Sequence, residues 1–100
     1  MDNTEKNQIL LTQLILMFQT AALQQMGKIK NPITDNIERD LPQAQMSIDI
    51  LDMMYGKMKG NLATEEERLF STVLQELKLN YVDETMKDKQ SPTTEAPSPS

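Results

Sequence analysis

The chain has 100 residues, enough for one small domain, with a formal net charge of −5 and no Cys, His or Trp. That composition excludes a disulfide scaffold, a thiol nucleophile, His- or Cys-bound zinc and every catalytic triad built on imidazole. The negative charge also argues against a phosphate-backbone binder, so no nucleic-acid partner is expected.

The opening residues Met1–Gln8 carry Asp2, Glu5 and Lys6, which is not the basic start of an export signal. The first helix is expected from about Glu5 to Met26, with Gly27 as its stop. Twelve of the eighteen residues in Ile9–Met26 are apolar, and the others are Thr and Gln. This falls short of the roughly 20 mostly apolar residues of a spanning helix, so the expectation is a cytoplasmic protein with no membrane role.

No residue from Asn7 to Gly27 is charged. Leu10, Leu14, Met17, Phe18 and Ala21 form one broad stripe, flanked by Leu11, Ile15 and Ala22, and are expected to face the core. Ile9, Leu16 and Leu23, spaced by sevens, form a second stripe nearly opposite. A helix that is apolar on two sides lies inside something larger than a three-helix monomer. The chain is therefore expected to be its own partner in a homo-oligomer, with Ile9, Leu16 and Leu23 as the interface.

Lys28–Arg39 is long for a connection within a bundle. Ile29, Ile33 and Ile37 surround the turn-forming Thr34-Asp35-Asn36, which predicts an irregular or hairpin-like excursion. The second helix is expected to open at Asp40, with Gln43 at capping-box spacing and Pro42 in the first turn, and to stop at Gly60. Its apolar stripe is Ala44, Ile48, Leu51, Tyr55 and Met58, widened by Met46, Ile50, Met53 and Met54. The third is expected to open at Thr64, with Glu67 at capping-box spacing, and to end near Glu84. Leu69, Phe70, Val73, Leu74, Leu77 and Tyr81 should face inward. The short link Gly60–Ala63 makes the second and third helices antiparallel neighbours.

The expected fold is therefore all-α, a small three-helix bundle over residues 1–85. Residues 86–100, with Pro92, Pro97 and Pro99 among Ser and Thr, are expected to be a disordered tail. The tail contains no PxxP docking motif.

Gly27, Asn31-Pro32, Thr34, Leu41, Ala44, Ile48-Asp49, Leu51, Lys57, Gly60-Asn61-Leu62, Glu66, Leu74, Leu77 and Tyr81-Val82 stand in an order that resembles the family catalogued as domain of unknown function 1844. The resemblance covers about Leu14 to Val82. It implies a small, helical, bacterial, cytoplasmic protein and supplies no activity, cofactor or binding residue. Asn36 stands near where the pattern leads one to expect a turn glycine.

Chemistry-bearing clusters are few. Asp49 and Asp52, three apart on one helical face, are the pair a cation-dependent hydrolase would use, and a solvated face explains them better. Glu65-Glu66-Glu67 complements a helix N-terminus. The eight Met residues follow core spacing rather than a soft-metal site. Lys57 and Lys59, with Lys28 and Lys30, make at most a small basic spot. No catalytic residue, cofactor or metal is expected. The favoured function is a non-enzymatic, self-associating protein-interaction module. An adaptor that docks on another protein through the first helix is the alternative.

Overall fold

The structure, a computed structural model, describes residues 2–95. Three helices run in chain order, α1 over Asn3–Met26, α2 over Leu41–Met58 and α3 over Thr64–Glu95. They pack up, down and up, each against the other two.

The ends of α1 follow local chemistry. Asp2 caps it, accepting from the Glu5 N–H at 2.8 Å while the Glu5 carboxylate receives the Asp2 N–H, a reciprocal capping box that starts the helix earlier than expected. Gly27 ends it in the left-handed region at φ 85°, where its own N–H and that of Lys28 satisfy carbonyls of the last turn. In α2 the Asp40 carboxylate accepts from the Gln43 N–H at 3.1 Å, with Pro42 in the first turn. Gly60, at φ 92°, takes the chain out of α2.

The start of α3 differs from the expected pairing of Thr64 with Glu67. It is the Glu66 carboxylate that reaches back, to the Ala63 N–H at 2.8 Å. Glu67 is thereby left to accept from the Tyr55 hydroxyl at 3.2 Å. α3 also runs past its expected end near Glu84 to Glu95. Met86, Lys87, Asp88 and Lys89 include no helix breaker, and Lys87 and Asp88 are held by ion pairs. Residues 96–100 of the expected tail lie outside the described residues.

The link between α1 and α2 contains a single antiparallel bridge, Asn31 to Asn36, so the excursion is hairpin-like. The Asn31 side chain accepts from the Ile33 N–H at 2.8 Å, and the Asp35 N–H bonds the Asn31 carbonyl at 2.7 Å. Asp35, rather than a glycine, takes the positive φ of 60°, directly before Asn36. Aspartate is one of the few side chains that tolerates that region.

The core comprises Ile15, Ala22 and Met26 of α1, Ala44, Ile48 and Leu51 of α2, and Phe70, Val73, Leu74 and Leu77 of α3. Tyr55, Met58, Leu69 and Tyr81 pack against it as expected for α2 and α3. The Phe70 and Tyr55 rings meet at 5.3 Å, tilted by 55°. Ser47 is buried among these apolar residues because its hydroxyl bonds the Gln25 side chain at 2.7 Å.

Helix α1 is turned relative to the sequence expectation. The line that enters the core is Leu11, Ile15, Phe18, Ala22 and Met26, with spacing four, three, four, four. Leu10 and Met17, expected inside, are exposed, while Leu14 and Ala21 are half-buried. Because α1 is apolar nearly all round, its periodicity names no single face. The facing helices choose the line that carries small Ala22 and long Met26 into the core shared with Ala44, Ile48 and Leu51.

Candidate functional site: the outer face of the first helix

Packing three helices leaves much of α1 in contact with solvent. Met17 is 67% exposed, Leu10 52%, Ile9 47% and Leu16 42%. Gln13 and Thr20 lie among them, and the nearest charged residues along the helix are Lys6 and Lys28. A large apolar surface with neutral polar neighbours is the feature of this molecule that a stable monomer explains least. Contrary to the expectation that it falls short, α1 is long and apolar enough, by length and composition, to cross a membrane; 17% of its most apolar window is buried, and Ile15, Ala22 and Met26 pack into the bundle.

The stripe Ile9, Leu16 and Leu23 does not form one continuous surface. Leu23 packs against the core. Ile9 borders a cleft toward the start of α3, lined by Thr12, Ala63, Glu65 and Leu69. Leu16 borders a separate shallow depression with Gln13, Met17, Thr20, Ala21 and Gln24. A line of sevens drifts around a 3.6-residue helix, and here it drifts from exposed Ile9 and Leu16 to Leu23 against the core. Leu10, Leu14, Met17 and Ala21, which sequence reading sent to the core, make up the more continuous outer line.

The acidic candidates have partners within the chain. Asp49 accepts from the Gln45 amide at 2.8 Å, and Asp52 pairs with Lys78 at 3.2 Å. Both are exposed. Of Glu65-Glu66-Glu67, the last two are engaged by Ala63 and Tyr55. Among the described residues no group of three acidic, His or Cys side chains is placed to hold a metal. The methionines divide between core and surface: Met26 is buried, Met54 and Met58 are half-buried, and Met17, Met46, Met53 and Met86 are exposed. The four lysines do not meet in one basic spot. Lys28 is drawn to α3, Lys30 lies 3.9 Å from Asp35, and Lys59 sits 5.7 Å over the Tyr55 ring at the other end of α2.

One ionic cluster escaped sequence reading. The Glu84 side chain, only 8% exposed, accepts from Arg39 Nε at 3.2 Å, Lys28 Nζ at 2.7 Å and Lys87 Nζ at 3.0 Å. Arg39 also donates to the Glu84 carbonyl at 3.0 Å and to Asp88 at 2.8 Å, and Lys28 reaches Asp83 at 3.0 Å. The Lys28 hydrogen bond holds the Glu84 carboxyl below the usual glutamate range, against the opposing effect of burial. Glu84 and then Asp83 raise the Lys28 ammonium in return. Gly27 belongs to the same construction, because a Cβ there would lie 3.2 Å from Arg39 Cδ. The signal was available: Glu84 falls seven residues after Leu77, on the α3 stripe that enters the core, and an acid on a core stripe requires cations. The cluster fastens both ends of the α1–α2 excursion to α3.

These features describe a bundle with a locked loop and an uncharged outer face on α1. No curated protein and no solved structure matches the chain. A family model described as Domain of unknown function (DUF1844) matches residues 8–83, from the uncharged stretch of α1 through the core stripe of α3 to Asp83 of the ionic cluster, and the chain belongs to that family.

Proposed function

We propose that the protein is a non-catalytic, self-associating module of the cytosol that uses the outer surface of α1 as its interface. The observation that carries this reading is the exposure of Leu10, Met17, Leu16 and Ile9 on a helix with no charge from Asn7 to Gly27. Self-association removes that area from water at about 25 cal/mol per Å². It brings no like charges together, although the chain as a whole is acidic. The cytosolic assignment is supported by Ile15, Ala22 and Met26 of α1 packing into a protein core.

The test is the mass of the purified chain by light scattering over a range of concentrations. A mass at a multiple of 11.4 kDa is expected. Met17→Lys should lower that mass to the monomer with helicity retained, since Met17 contributes little to the core; Leu16→Lys probes the neighbouring depression. A concentration-independent monomer overturns self-association. If that monomer then captures a defined protein through α1, the adaptor reading replaces it. Stoichiometric divalent-cation binding lost in Asp49→Asn with Asp52→Asn would instead support the hydrolase.

A further inference from the structure

We infer that the partner on α1 is α1 of a second copy, lying antiparallel, with Leu10, Leu14, Met17 and Ala21 as the seam. This rests on the self-association reading and specifies its geometry.

The seam residues are spaced four, three and four, the a/d pattern of a coiled coil, and Asn7 and Gln24 continue it at either end with spacing three. None is in the core cluster, and Leu10 and Met17 are mostly exposed. A second heptad-spaced line runs beside it. Met46, Ile50 and Met53 of α2 lie on the flank of Ser47 remote from Tyr55 and Asp52, which face α3. Ser47 contacts Gln25 of α1, so both lines border the α1–α2 contact on the side away from α3. Met46 and Met53 are exposed and Ile50 is half-buried.

Three features select a second copy over another protein. The α1 seam is neutral throughout, so identical acidic chains approach without repulsion across it. Antiparallel pairing about a two-fold between Ile15 and Leu16 opposes the helix dipoles. That same register sets Leu10 against the partner's small Ala21, Leu14 against the partner's Met17, and Asn7 against the partner's Gln24, amide to amide. The surface already has the matching relief. The depression bounded by Gln13, Leu16, Met17, Thr20 and Gln24 has Ala21 within it, where a leucine knob would seat.

The absence of native cysteine permits a direct test. Leu10→Cys and Ala21→Cys chains, distinguishable by a tag, are prepared separately, mixed at equal concentration, and oxidised under mild conditions. The antiparallel register brings the two sites together between chains. It holds two copies of either single site eleven residues apart, about 16 Å along the helix, beyond the roughly 7 Å Cα limit for a disulfide. The expected result is a covalent heterodimer from the mixture, at least about tenfold above the homodimer from either variant alone. Efficient crosslinking of each variant with itself would show a parallel seam and overturn the inference. A dimeric mass without crosslinking in the mixture would also overturn it, while leaving self-association standing. A monomeric mass for the unmodified chain would overturn both.

Discussion

Glu84→Gln should cost the fold about 2 kcal/mol at neutral pH. The substitution keeps the shape of the side chain and removes the one charge that Arg39, Lys28 and Lys87 share. A hydrogen bond involving a charged group contributes about 1.5–3 kcal/mol, so loss of the two better-shielded contacts would by itself give about 3–6 kcal/mol. That figure is too high here. The Lys28 and Arg39 side chains remain 25% and 34% exposed and keep Asp83 and Asp88 as alternatives, so water and the remaining acids recover part of the loss. At roughly 4–8 °C per kcal/mol for a domain of this size, the melting temperature should fall by about 8–16 °C. Thermal circular dichroism on wild type and variant, across pH, measures it. Because the folded-state pKa of Glu84 is depressed, its contribution is present above the ordinary value of 4.5 and disappears as pH falls through the lower folded-state value. The raised pKa of Lys28 works in the opposite sense: its contribution is complete below 10.5 and is lost as pH rises through the folded-state value. The gap between the two proteins should therefore be flat across neutral pH and close in acid. A gap at pH 7 within about 2 °C, or one that persists unchanged below the titration of Glu84, would refute the view that this carboxylate fastens the excursion to α3.

Three other outcomes follow from the packing. Gly27→Ala should cost about 1–2 kcal/mol by urea denaturation, because the left-handed backbone resists a side chain and the new Cβ would press on Arg39. Ile15→Ala should cost about 2–5 kcal/mol, and Met17→Ala about 0.5 kcal/mol or less at concentrations where the chain is monomeric. The reverse order would mean that α1 is rotated toward the face expected from sequence. Asp49→Asn combined with Asp52→Asn should change stability by no more than about 1 kcal/mol, since the pair with Lys78 is half in water, and calorimetry should show no divalent cation bound to either protein.

The sequence by itself determined the number of helices, their order and most of their ends. Asp40, Gly27 and Gly60 act on backbone groups within a few residues of themselves, so their effects are readable locally. It also determined most of the inward faces of α2 and α3, because Ala44, Ile48 and Leu51, or Phe70, Val73, Leu74 and Leu77, stand opposite polar residues; Met46 and Met53, expected to widen the α2 stripe, are exposed instead. The hairpin-like character of the excursion was legible for the same reason, although which residue would take the left-handed turn was not.

The tertiary structure alone decided the orientation of α1. Ile15 and Met17 differ little in hydrophobicity, and no charged residue between Asn7 and Gly27 marks an outside. Which of them is buried depends on the shapes that α2 and α3 present, a property of other segments of the chain. It likewise decided where Lys28 and Arg39 find their counter-charge, which lies 45 residues or more further along the chain. It also turned Leu23 against the core and left Leu10 and Met17 exposed beside Ile9 and Leu16. An amphipathic helix records its own inside because solvation separates its two sides, whereas a helix apolar on every side acquires an inside only when its neighbours arrive.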